Sequence, residues 1–146
     1  TNLPKCWYNR RLFAQLAKEL IIQGDPARAK KVLAYAEQAV PGYNVPETYE
    51  SGSYSIATAY AALGEKMKAI TLTEHLIAEA EDYINWAFSL KGNRMEMVRN
   101  DCIYKFWQWN QCNELLKKVD EESYKESNRR FEDKYALFAP NMGYKN

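Results

Sequence analysis

The chain has 146 residues, with 20 Lys plus Arg against 19 Asp plus Glu, one His and a formal net charge of +1. That length suits one ordinary domain with a real core, and 47% hydrophobic with 27% charged residues is a globular balance rather than a disordered one. Near-neutral charge gives no electrostatic ground for a nucleic-acid or anionic-membrane partner, and a single His leaves little material for a metal centre or His-dependent catalysis.

Gly and Pro punctuate the chain. Residues 7–23 carry Leu12, Phe13, Leu16, Ala17, Leu20 and Ile21 at helical spacing. Gly24 follows as a helix-ending residue suited to positive φ. Asp25 is placed to cap the next helix with its carboxylate, and Pro26 sits where its missing N–H costs nothing. Ala29, Val32, Leu33, Ala36 and Val40 form that helix's inner stripe until Pro41 and Gly42 stop it. The pair reads as a helical hairpin with a tight turn.

After a loop at 41–46, Ser53, Ile56, Ala57, Tyr60, Ala61 and Leu63 line a helix ending at Gly64. Its return helix carries Met67, Ala69, Ile70, Thr73, Leu76, Ile77 and Ala80 and is expected to run on through Trp86 toward Leu90. Beyond Lys91-Gly92, the positions Met95, Val98, Cys102, Phe106, Trp109, Cys112, Leu116 and Val119 alternate steps of three and four. That stripe predicts one long helix, with Trp109-Asn110 the place for any break. Asp120 is placed to cap a last helix over 121–138, whose apolar contacts are Tyr124, Phe131, Tyr135 and Phe138. Residues 140–146 read as a loose tail. No long period-2 stretch rich in Val, Ile or Thr occurs, so no sheet is predicted.

The two hairpins share a register. Gly24-Asp25 and Gly64-Glu65 occupy the same place between paired helices, Ala17 aligns with Ala57, and Ala29 aligns with Ala69. Small residues there let helices approach closely, and each hairpin then presents an apolar face that it cannot bury alone.

On these residues the chain resembles a tetratricopeptide repeat. Counting from Arg10, the small residues of that pattern fall on Ala17, Ala29 and Ala36, its Pro on Pro41, its turn on Gly24, and its large apolar places on Phe13, Leu16 and Leu33. A second unit from Glu50 supplies Ala57, Tyr60, Gly64 and Ala69, but has Leu76 where Ala is usual and Glu81 where Pro is usual. The resemblance implies an all-α fold of antiparallel helical hairpins stacked as a short superhelix of about six helices. One domain over residues 1–139 is expected, with units at 10–43, 50–90 and 93–138.

A second resemblance rests on the run Asn9-Arg10-Arg11-Leu12-Phe13-Ala14-Gln15-Leu16-Ala17, with Lys30-Lys31-Val32-Leu33, Asn44-Val45-Pro46, Ala57-Thr58-Ala59-Tyr60, Leu63-Gly64-Glu65 and the ending from Trp86 to Leu90. These words are similar to the soluble C-terminal region of a bacterial family of multi-span, glycosyltransferase-like membrane proteins. The resemblance implies membrane spans upstream of Thr1, which fits a chain that begins at Thr rather than Met. It also implies an extramembrane setting at the bacterial inner membrane, on the periplasmic side. It carries over no catalytic residue, because the acids of such proteins lie near their membrane segments. No run of eighteen apolar residues occurs here, so this chain is not expected to insert into a membrane.

Candidate chemistry is sparse. Glu79, Glu81 and Asp82 form one acidic run and Asp120, Glu121 and Glu122 another, and both read as solvated or dipole-favouring residues rather than a paired acid and base. His75 with Glu79 at i+4 offers two metal ligands of common surface type, and a surface or hydrogen-bonded imidazole is the stronger reading. Cys6, Cys102 and Cys112 are odd in number and none lies in a CxxC pair. Two of them ten positions apart on one helix lie about 15 Å apart, beyond disulfide reach, so they read as small buried hydrophobes. No GxxxxGK[ST], GxGxxG or GxSxG motif occurs. No catalytic residue, metal ligand or cofactor site is therefore predicted.

Two surfaces remain. Tyr104, Phe106, Trp107 and Trp109 wrap more than one helix face; most of this patch is expected to be core, with Tyr104, Trp107 and Trp109 as a candidate aromatic contact surface. Only Lys105 is interleaved, too little basic character for nucleic-acid stacking. In stacked hairpins the inner faces of the first helices line a groove. That face would show Arg11, Ala14, Lys18 and Ile21 from the first unit and Ser51, Tyr54, Thr58 and Ala61 from the second. Arg11, Lys18, Ser51, Tyr54 and Thr58 are its candidate contacts, and the two cations could pair with a carboxylate-bearing peptide. Repeats that clamp a C-terminal carboxylate use a Lys/Asn-rich set, however, and Ala14 stands at one of its places, so a generic peptide or segment contact is the expectation. The expected function is a non-catalytic scaffold for protein–protein or intramolecular contacts, with self-association through exposed stack ends as a further expectation. The alternative is a small-ligand or carbohydrate-binding accessory domain, with Tyr43, Tyr49, Tyr54 and Trp86 as stacking surface.

Overall fold

The computed structural model describes residues 3–41 and 48–141, with side chains over 9–41 and 48–140. All regular structure among the described residues is helical. The chain divides into two compact units, Thr1–Leu76 and Ile77–Asn146. The expected loop at 42–46 and most of the expected tail, 142–146, lie outside the described residues.

The first unit holds α1 (Leu3–Ile22), α2 (Pro26–Ala39), α3 (Ser53–Ala62) and the start of α4 (Lys66–Phe88). Gly24 turns α1 into α2 at φ 80°, and Gly64 turns α3 into α4 at φ 75°. The hydrogen bonds at the two turns are the same. Gly24 N donates to Ile21 O at 3.1 Å and Asp25 N to Leu20 O at 2.8 Å; Gly64 N donates to Ala61 O at 3.2 Å and Glu65 N to Tyr60 O at 2.9 Å. Each closes a helix end whose last carbonyls would otherwise lack donors. Pro26 opens α2, and the Asp25 carboxylate accepts from Arg28 N at 3.2 Å.

Packing follows the aligned alanines. Ala14, Ala17, Ala29, Ala57, Ala59 and Ala69 are buried to 1% exposure or less, so backbones meet where no side chain separates them. α1 packs against both α2 and α3. Arg10 is buried as well. Its guanidinium donates to Ser51 Oγ at 2.9 Å, to Ser53 Oγ at 3.4 Å and to the Val40 carbonyl at 2.9 Å, tying the end of α2 to the start of α3. A buried charge is tolerated only with such partners.

The second unit holds the rest of α4, α5 (Arg94–Met97), α6 (Arg99–Val119), α7 (Glu121–Phe138) and a 3-10 turn, Ala139–Asn141. The expected single long helix is two helices here. Val98 takes φ −109° and ψ 10°, off helical geometry, and its carbonyl accepts the first bond of α6 from Cys102 N at 2.9 Å. No break occurs at Trp109-Asn110, and α4 ends at Phe88 rather than Leu90. Asp120 caps α7 by accepting from Ser123 N at 3.3 Å and from Ser123 Oγ at 2.6 Å.

Phe106 centres an aromatic core, with ring centroids 5.7 Å from Phe131, 5.5 Å from Tyr135 and 5.1 Å from Phe138. Behind it, Trp109 Nε1 donates to Ser127 Oγ at 2.9 Å, and Ser127 Oγ donates to Asn113 Oδ1 at 2.6 Å. These buried bonds fix α6 against α7.

Candidate functional site

The first unit carries a groove of about 430 Å³ between α1 and the segment that enters α3. From α1 come Arg11, Gln15 and Lys18, which fall on one helix face at i, i+4 and i+7. Across from them stand Tyr49, Gly52, Tyr54 and Ser55. Local chemistry shapes the far wall. Thr48 and Ser51 bond each other reciprocally, Thr48 N to Ser51 Oγ at 3.0 Å and Ser51 N to Thr48 Oγ1 at 3.1 Å, and so hold the turn before α3. Gly52 sits at φ 96°, and a Cβ there would meet Arg11 Cγ at 2.9 Å. Only glycine lets this turn approach α1 so closely.

Arg11 donates through Nη2 to the Glu50 carbonyl, which fixes the guanidinium at the groove's edge. Among the described residues no carboxylate pairs with Arg11 or Lys18. Tyr49 and Tyr54 stack at 4.8 Å with their planes 28° apart, giving the groove a flat aromatic wall. The arrangement offers two cations and a stacked phenol pair: charge for a carboxylate and area for a flat or aliphatic side chain.

The expected groove residues divide. Arg11, Lys18 and Tyr54 lie together on it. Ser51 does not: it is fully buried, its hydroxyl accepting from Arg10 and donating to Thr48 O at 2.9 Å. Thr58 lies off the groove and donates to Ser55 O at 2.7 Å within its own helix. Ala14 is core rather than groove lining. Tyr49 joins Arg11, Lys18 and Tyr54 from the stacking set expected of the alternative reading, whereas Gly52, Ser55 and Gln15 were not among the expected residues. Gly52 and Ser55 reach the groove through a turn whose path depends on φ 96° at Gly52, and the signal for Gln15 is its place on the Arg11–Lys18 face.

The aromatic surface divides too. Tyr104 and Trp107 are 43% and 47% exposed and stack on each other at 5.7 Å, while Trp109 is wholly buried and belongs to the core. Trp86 is exposed on the second unit against Tyr83 at 5.3 Å, and Tyr43 lies outside the described residues.

The acidic runs are more engaged than expected. In the second unit Lys105 pairs with Glu79 at 3.6 Å and Arg130 with Glu81 at 3.3 Å, each partner less than half exposed. His75 is exposed in the first unit. Among the described residues no three His, Cys, Asp or Glu side chains gather as a metal site. Cys102 and Cys112 are buried thiols. Burial, aided by the nearby Asp101 charge, raises Cys102; burial, with Glu79 adding to it, pushes Cys112 up to about 12. Neither supplies a nucleophile. Among the described residues no helix is long and apolar enough to cross a membrane. No family model, curated protein or solved structure compared with the chain matches it.

Proposed function

We propose that this chain is a non-catalytic, tetratricopeptide-like helical-repeat scaffold that binds an acidic peptide segment in the groove between α1 and the entry to α3. The observation that carries the reading is the groove itself. Arg11 and Lys18 stand on one face of α1 without carboxylate partners among the described residues, opposite the stacked Tyr49 and Tyr54. Charge-assisted cation–carboxylate bonds supply orientation in such a site, and a rigid aromatic wall supplies area at low entropic cost.

The repeat reading is supported by the matched turns at Gly24 and Gly64, by Ala17 with Ala57 and Ala29 with Ala69 in the core, and by α1 lying against both α2 and α3. That adjacency is expected where the first helix of one hairpin meets its own return helix and the first helix of the next. The setting at the bacterial inner membrane, as the extramembrane part of a larger protein, rests on the sequence similarity of residues 9–17 and the shorter words that accompany it.

The test is a peptide selection on the full chain from a random display library. The expected result is enrichment of peptides bearing Asp, Glu or a terminal carboxylate, with affinity falling at least tenfold on Lys18→Glu. Enrichment of peptides without acids, or acidic peptides indifferent to Lys18→Glu, overturns the reading.

A further inference from the structure

The first unit has a second cleft, of about 340 Å³, formed by one face each of α2, α3 and α4. Its floor is aliphatic: Leu33 from α2, Val40 just past its end, Ile56 from α3 and Leu72 from α4. Lys68 and His75 border it on α4, seven residues and so about 10 Å apart along the helix axis. Two turns of an α-helix with its side chains would occupy roughly 1,000 Å³, so this space is that of a small molecule rather than of a docked helix.

Among the described residues Lys68 and His75 border the cleft with one carboxylate, Glu37, while the Arg10 guanidinium is taken up by Ser51, Ser53 and the Val40 carbonyl. Glu37 accepts from the Tyr60 hydroxyl, and Lys68 reaches the same oxygen at 3.4 Å while lying 5.4 Å over the Tyr60 ring. The Lys68–Glu37 pair is about half exposed on both sides, 53% and 50%, so it contributes little and exchanges readily for another anion. Glu37 then keeps Tyr60 as its donor. His75 makes no hydrogen bond among the described residues and is exposed at the border of the cleft, so its ring N–H is open to solvent or to a bound molecule.

We propose that this cleft binds a small amphipathic carboxylate, its apolar body on Leu33, Val40, Ile56 and Leu72 and its carboxylate on Lys68, with His75 a second polar group at the border. The site is separate from the α1 groove and stands without it. An apolar floor with a few polar groups at one side is the usual construction of small-ligand sites, the floor giving affinity and the polar groups orientation.

The experiment titrates the full chain with sodium octanoate and, separately, with 1-octanol, read by calorimetry and by amide chemical shifts. Octanoate is expected to saturate a single site, with shifts at Leu33, Ile56 and Leu72, and octanol to bind at least tenfold more weakly. The exposed double substitution Lys68→Ala/His75→Ala should weaken octanoate at least tenfold, and Thr71→Trp should block it by filling the mouth, both with unchanged circular dichroism. Octanoate that does not saturate, octanol that matches it, or a double variant that binds like the parent each overturns the proposal.

Discussion

Gly24 and Gly64, forty positions apart, end their helices in one conformation, at φ 80° and 75°, each followed by a residue whose N–H reaches back to the fifth residue before it. A Cβ at either position would meet nothing within 4 Å, so the cost of a side chain there is conformational alone. Gly24→Ala and Gly64→Ala should each lose about 1 kcal/mol, and the double variant about the sum. Gly52→Ala should lose more, because it adds a clash with Arg11 to the same strain. Urea denaturation midpoints at constant m-value check this order.

Arg10 is the polar bolt of the first unit. Arg10→Met strands the Val40 carbonyl and takes one partner each from the Ser51 and Ser53 hydroxyls, which keep Thr48 and each other, and should cost about 2 kcal/mol. Arg10→Lys should recover little of it, since a single ammonium cannot fork to three acceptors spread over a helix end and a helix start. The same denaturation series reads both.

Thr73 stands where the first hairpin has Leu33. It is fully buried, and its hydroxyl makes no hydrogen bond among the described residues. Thr73→Val keeps the shape and removes the polar atom, so it should stabilise the chain by about 1 kcal/mol. A loss of stability would mean that the hydroxyl has a partner after all.

Much of this was legible in the residues. Gly between two periodic segments, Asp25 before Pro26, and Asp120 before a charged run fixed three helix boundaries by local chemistry alone. The aligned alanines read directly as close packing. Arg11 and Lys18 were legible as groove residues because one face of one helix carries both. Ser51 was not: a small polar residue in a loop reads as exposed, and nothing nearby in sequence announces that Arg10, 41 positions away, is buried against it. The pairing of Glu81 with Arg130, 49 positions apart, was hidden for the same reason. Trp109 belonged to the apolar stripe from the start; only the neighbouring Tyr104 and Trp107 made it look like surface.

Cys102 and Cys112 should be inert in the native chain. A thiol with pKa pushed up to about 12 is thiolate in roughly one molecule in 10⁴ at pH 8, and Cys112 is buried besides. Alkylation at pH 8, mapped by mass spectrometry, should leave both sites unmodified until denaturant is added. Labelling of either in native conditions would show that α6 opens.

The central claim is that the α1 groove, rather than the exposed Tyr104–Trp107 pair, receives the partner. Amide chemical-shift mapping of the full chain with a selected acidic peptide decides it. The account predicts perturbations gathered on Arg11, Gln15, Lys18 and Tyr54. Perturbations gathered on Tyr104 and Trp107, with Arg11 and Lys18 unmoved, would contradict it.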